Sequence, residues 1–222
     1  MQIIWLDINK IHCNLGVMTQ INSTKPQIIL AIDSACGACS VSIWKDGAVS
    51  AYCEELTTAL QAKNLVNMVE EALATSKTGY RELSAIACTI GPGSFTGIRI
   101  GLSTARAIGF AASVPVLGFN SLEVIAYTIS LNQKNKEITA MLNAGKGEVI
   151  YQNFTVGLIP TSEPTLKKAK GDELFISPRA DMLAQLAAKH PTKAVAPLPF
   201  YVRPPDAKLP ENNKNINNAA TQ

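Results

Sequence analysis

The 222 residues suit one domain or two small lobes, and with 47% hydrophobic and 17% charged residues they can build a real core. The formal net charge of +3 is too slight to argue by itself for a nucleic-acid groove, and no run reaches the roughly 18 apolar residues of a membrane span, so no membrane partner is expected. The cysteines, Cys13, Cys36, Cys39, Cys53 and Cys88, are odd in number and no secretory leader is visible, so a reduced, cytoplasmic setting is expected.

Residues 1–27 carry one acid, Asp7, no arginine and no signal-peptide core, and are read as a flexible N-terminal extension. A strand is predicted over 28–32, ending in Asp33-Ser34. A second follows over 40–44, a turn at Lys45-Asp46-Gly47, and a third strand over 48–53. Cys36-Gly37-Ala38-Cys39 has thioredoxin spacing but sits in the first hairpin rather than opening a helix, which argues against redox chemistry. The spacing predicts a helix over 57–76 with Leu65, Met68, Val69, Ala72 and Leu73 on one stripe and Lys63, Asn67, Glu70 and Glu71 opposite. A buried strand over 85–90 leads into a glycine turn and a helix over 96–113. In that helix Gly97, Gly101, Ala105 and Gly109 form a smooth ridge, fit for close packing inside the domain or against a partner. A short strand over 116–118 and a helix over 122–131, with Ser121 as its cap, complete a β-β-β-α-β-α-β-α order. A shorter second half holds strands over 136–142 and 148–155 and one helix over 179–189. Ser177 and Pro178 mark the start of that helix and Pro191 stops it. The Asn-rich end, 209–222, is expected to be disordered.

The glycine turn, Gly91-Pro92-Gly93-Ser94-Phe95-Thr96-Gly97, is the feature with most chemical content. Its glycines relax backbone limits and let a ligand or another backbone come close, and it feeds a helix N-terminus that favours an anion. It is not a Walker A loop, because Ile98 and Arg99 follow Gly97, and its glycine spacing is not that of a dinucleotide loop. A ligand or partner contact through Gly91, Pro92, Gly93, Ser94, Thr96, Gly97 and Arg99 and a plain tight strand-to-helix turn both remain open. So do two roles for Asp33 and Ser34: a nucleotide contact or turn capping. The only histidines, His12 and His190, stand in unrelated contexts. No metal site, Ser-His-Asp set or second phosphate loop is predicted, and no catalytic residue is assigned.

The run GPGSFTGIRIGLSTARAIG resembles the signature of the bacterial TsaB (YeaZ) family. ILAIDSACGACSVSIWKDG, PVLGFNSLEVIA, GEVIY and PFYVRPPDAK are similar, in order, to further family segments from about residue 28 to Lys208, and Met18 is placed like a family start. The resemblance implies an α/β actin-like (ASKHA, ribonuclease H-like) fold, with a first lobe over 28–135 and a truncated second lobe over 136–208. It implies a non-catalytic subunit in the formation of tRNA threonylcarbamoyladenosine. That subunit pairs with a TsaD-like transferase, beside a TsaE-like ATPase, with tRNA reached indirectly and a homodimer as the alternative pairing. The docking residues are expected on the helices over 57–76 and 96–113: Leu65, Met68, Val69, Ile98 and Leu102. No tightly bound cofactor is expected, ATP or ADP entering only in the assembled complex. The HxxxH metal helix of TsaD proteins is absent from this sequence, so peptidase activity is not expected. Two alternatives are a nucleotide-binding enzyme of the actin-like ATPase superfamily, using Asp33, Ser34 and the glycine turn, and a self-associating scaffold. The chain departs from the family pattern at Asn143-Ala144-Gly145, where Asp-Ala-Arg is usual, and at Lys63-Asn64, where a His-Ser-Glu type run is usual.

Overall fold

The computed structural model describes residues 27–56, 61–132, 137–171 and 173–203. The extension before residue 27, residues 57–60 of the first predicted helix, residue 136, the predicted tail, His12 and Cys13 lie outside the described residues.

The chain opens with β1 (Ile29–Asp33), β2 (Cys39–Lys45) and β3 (Ala48–Glu55), paired antiparallel in sequence. Asp46 and Gly47 adopt φ of 54° and 83°, the left-handed pair whose twist suits a two-residue hairpin. α1 (Gln61–Thr75) leads to β4 (Ala85–Gly91), which lies parallel to β1. α2 (Phe95–Ala112) leads to β5 (Val116–Asn120), parallel to β4. The sheet order β3-β2-β1-β4-β5 is the actin-like arrangement expected from the sequence. α3 (Ser121–Ser130) precedes a smaller antiparallel sheet of β6 (Ile138–Gly145), β7 (Glu148–Phe154) and β8 (Thr165–Lys168), and α4 (Ala180–Lys189) follows it. β8 was not predicted: its run TLKK holds one large apolar residue and carries no alternating pattern.

The large sheet is covered on both faces. Leu30, Ile32, Ile86 and Cys88 meet α1 and α2, whereas Ile29, Ala31, Ala85 and Ala87 share a second core with α3, α4, β6 and β7. β2 is therefore buried along its length up to Lys45, although an alternating strand would ordinarily leave one face wet. Covering this sheet also consumes the apolar stripes of its helices. Leu65, Met68, Val69, Ile98 and Leu102 were expected at a partner interface, yet each is at most 7% exposed and lies in the inner core. This corrects the sequence reading. Periodicity shows that a helix has an apolar face, but not whether its own sheet or another chain covers it.

The small-residue ridge resolves the same way. Gly97, Gly101, Ala105 and Gly109 are buried. A Cβ built on Gly101 would meet Ser34 Oγ, and one on Gly109 would meet the Val116 side chain. The ridge brings α2 down onto its own sheet. Ser94 caps α2, its Oγ accepting from Gly97 N–H at 3.3 Å. α3 is capped by Asn120, whose Oδ1 accepts from Leu122 N–H at 2.8 Å, and not by Ser121, which is buried one residue into the helix. After α4 the chain returns to the large sheet. Val195 bridges to Gly118, Phe200 N–H donates to Ile90 O at 2.8 Å, and Arg106 donates to the Pro197 carbonyl.

Candidate functional site

The glycine turn closes on the β1–β2 turn. Ser94 N–H donates to Ala35 O at 2.7 Å, and Ser34 Oγ–H donates to Gly97 O at 2.8 Å. A Cβ added at Gly93 would fall onto the Ala35 carbonyl, and one at Gly97 onto the Ser34 carbonyl. Gly91 sits at φ 114°, against the Phe200 carbonyl, a conformation and a contact that side chains other than hydrogen do not tolerate. The close approach that the glycines permit is therefore spent first on the protein's own backbone.

Asp33 and Ser34 are both 1% exposed. Asp33 Oδ1 accepts from Thr89 Oγ1 at 2.6 Å and from Ala35 N–H at 3.3 Å, while Oδ2 is buried with no hydrogen-bond partner among the described residues. Desolvation pushes the Asp33 carboxyl up to about 7, against the lowering effect of those two hydrogen bonds. Of the two roles left open for Asp33, turn capping is the one its geometry supports.

Beside this junction lies a cleft of about 820 Å³ between the β1–β2 turn, the glycine turn, the end of β6 and the segments around residues 175–177 and 201–203. Pro92, Gly93, Ser94 and Phe95 line it; Asp33, Ser34, Gly91 and Gly97 do not. Arg99 is exposed at its rim. Its guanidinium lies 3.6 Å from the Phe95 ring centroid and Nε–H donates to Tyr201 Oη at 3.2 Å, and the Phe95 and Tyr201 rings pack 5.1 Å apart. Arg203, also on the wall, pairs with Glu148. Thr96 is exposed and lies outside this lining. Sequence reasoning missed Phe95, Tyr201 and Arg203 as parts of one site. The signal available was the PFYVRP run, which has no local reason to meet a helix start about a hundred residues earlier.

Among the described residues no Asp, Glu or His lines the cleft. Among the described residues no group of three His, Cys, Asp or Glu side chains is placed to hold a metal ion. A metal-bound nucleotide held by Asp33 and Ser34 does not fit: both are enclosed, and both already make internal hydrogen bonds. The Cys36-to-Cys39 turn is no better suited to redox work. Cys39 is buried with its thiol pushed up to about 12, and burial raises the Cys36 thiol as well.

A family model described as TsaD, tRNA N6-adenosine threonylcarbamoyltransferase, matches residues 55–187, more than half of the chain. The tRNA threonylcarbamoyladenosine biosynthesis protein TsaB of Escherichia coli K12 is 36% identical over 57% of this chain and 54% of its own length. The chain belongs to the TsaB (YeaZ) family. The TsaB protein of Haemophilus influenzae is 32% identical over 55% of this chain and 52% of its own length. An uncharacterized Mycobacterium bovis protein, Mb3455c, is 30% identical over 81% of this chain and 93% of its own length. The chain thus spans about half the length of the TsaB relatives it matches. YeaZ from Pseudomonas aeruginosa superposes with a TM-score of 0.70 at 22% identity, covering 79% of this chain and 100% of that one, which shows a shared fold. In this TsaB-family chain the departure at Asn143 has a local consequence: Asn143 Oδ1 accepts from Gly145 N–H at 2.8 Å and turns the end of β6 on the cleft wall. No helix among the described residues is long and apolar enough to cross a membrane.

Proposed function

We propose that the chain serves tRNA threonylcarbamoyladenosine formation as a non-catalytic subunit that docks on a TsaD-like transferase, in an assembly that includes a TsaE-like ATPase. One observation carries the non-catalytic part: among the described residues the cleft offers no carboxylate or imidazole to move a proton and no activated nucleophile. The family supports the pathway, since the TsaB relatives bear that name.

With the inner stripes of α1 and α2 consumed by the core, docking falls to their outer faces. Val66 is 51% exposed and Phe110 is 89% exposed there. A bare phenylalanine ring on a helix suits a buried anchor at an interface. The same face could pair two copies of the chain where the transferase is absent.

The experiment is capture of a co-expressed TsaD-like protein by the full chain, by Val66→Glu and by Phe110→Glu, each shown by circular dichroism to fold. Both variants are expected to lose capture by at least about tenfold, the scale of one interface hot spot. The isolated chain is expected to show no peptidase or ATP-hydrolysing turnover. Wild-type capture by both folded variants sinks the docking face. Turnover that survives purification and is lost in Asp33→Ala sinks the non-catalytic reading.

A further inference from the structure

We infer that the end of the small sheet carrying Lys146, Lys167, Lys168 and Lys170 is a contact surface for the phosphate backbone of RNA. The choice of RNA rests on the proposed function; the charge and shape of the surface do not. It goes beyond that function, in which tRNA is reached only through the partner.

The fold assembles this surface from two separate stretches of sequence. β8 pairs with β7 so that Lys167 lies opposite Val149 and Lys168 opposite Glu148. Ala169 N–H donates to Gly147 O at 2.8 Å, which draws residues 168–170 against the β6–β7 turn that holds Lys146. All four lysines are exposed. Two acids nearby have partners other than these ammonium groups: Glu148 pairs with Arg203, and the Glu173 carboxylate accepts from Lys170 N–H at 2.7 Å and Gly171 N–H at 2.9 Å. In sequence terms the stretches 146–148 and 167–173 together with Arg203 sum to two positive charges, against +3 for the whole chain.

The sheet face of Lys167, opposite to that of its strand neighbour Lys168, carries a ring. Lys167 Nζ sits 4.1 Å from the centroid of half-buried Tyr151, whose cross-strand neighbours are Met141 and Thr165. Thr139 and Asn153 are paired further along it. Ammonium groups for phosphates, a ring for a base and amide and hydroxyl groups for base edges are what an unpaired RNA segment meets on a sheet. A lipid surface needs exposed aliphatic side chains as well as charge. Here the aliphatic side chains on the face, Met141 and Val149, are half-buried and buried, and Leu166 turns to the cleft.

The test is fluorescence anisotropy of the full chain with an unmodified tRNA transcript, titrated between about 50 and 200 mM salt. Wild type is expected to bind with a negative log–log salt slope. The triple variant Lys146→Gln/Lys168→Gln/Lys170→Gln is expected to flatten that slope by about 2–3, at roughly 0.7–0.9 for each phosphate contact removed. Tyr151→Ala is expected to weaken binding at every salt concentration with the slope unchanged. Lys63→Gln/Lys189→Gln, charges removed elsewhere, is expected to leave the slope at the wild-type value. No binding by wild type at 50 mM salt, equal slopes for wild type and the triple variant, or tighter binding to phosphatidylserine vesicles or polyglutamate than to tRNA each overturns the inference. Capture of the TsaD-like protein by the triple variant separates the two readings. Retained capture with unchanged RNA binding refutes this surface alone, and lost capture by wild type with intact RNA binding refutes the docking reading alone.

Discussion

A side chain on Gly97 must displace the Ser34 carbonyl, and Ser34 is fixed by its own hydrogen bond to Gly97 O and by the start of the β1–β2 turn. Gly97→Val is therefore expected to destabilise the fold by about 1–4 kcal/mol, read as a lower urea midpoint; an unchanged midpoint would show that the junction yields freely. Asp33 makes a second prediction, with a definite sign. Its folded pKa of about 7 lies above the ordinary 3.8, so the folded protein holds a proton that the unfolded chain has released. Stability contributed by Asp33 is full below about pH 4 and is lost as pH rises through about 7. Asp33→Asn removes this titration. Between pH 4 and 8 the wild type is expected to lose about 2–4 kcal/mol relative to the variant. Parallel stability curves for the two proteins would mean that Asp33 ionises normally.

At the scale of the element, α2 does two jobs with opposite faces. Its ridge lies on β1, β4 and β5, its N-terminus closes the glycine turn through Ser94, and its outer face leaves Phe110 bare. Ser94→Ala removes the cap on Gly97 N–H and is expected to cost about 1 kcal/mol, measured by thermal melting. Because Ser94 N–H still donates to Ala35 O, that variant should keep its fold. α1 shows how far the pattern could be read. Leu65, Met68, Val69, Ala72 and Leu73 were legible as one stripe, and Lys63, Asn67, Glu70 and Glu71 as the exposed side. The occupant facing the stripe was not legible, since it depends on β2 and β3 folding back beneath it. A carboxylate at Met68 is thus expected to unfold the chain rather than to probe an interface.

Across the whole molecule, the small sheet and the large one are joined by α3, α4 and the returning C-terminal segment. Lys193 pairs with Glu123 of α3 at 3.2 Å and donates to Leu158 O, in the loop after β7, at 2.7 Å. Burial raises the Glu123 carboxyl, and Lys193 partly offsets that. Lys193→Met would leave a mostly buried carboxylate and a carbonyl without their cation. The expected loss is about 1–3 kcal/mol at pH 7, shrinking at pH 4 as Glu123 takes up a proton. A loss equal at both values would place the effect in packing alone. The candidate cleft is a product of the same joining, because its walls come from residues near 35, 93, 143, 176 and 202.

The sequence by itself determined the order of elements through β7, the hairpin at Asp46-Gly47, the glycine turn between β4 and α2, and the family signature within it. These depend on near neighbours: alternation, helical periodicity, and the few residues that accept tight turns. Only the tertiary structure decided where the apolar stripes of α1 and α2 point, that the glycines admit the Ser34 and Ala35 backbone, that Asp33 is enclosed, that Tyr201 reaches the start of α2 and that Arg203 reaches Glu148 of β7. It also gathered Lys146 with Lys167, Lys168 and Lys170. Each of these is a meeting of segments distant in sequence, fixed by burial of the shared sheet on both faces, and local pattern carries no record of which partner arrives.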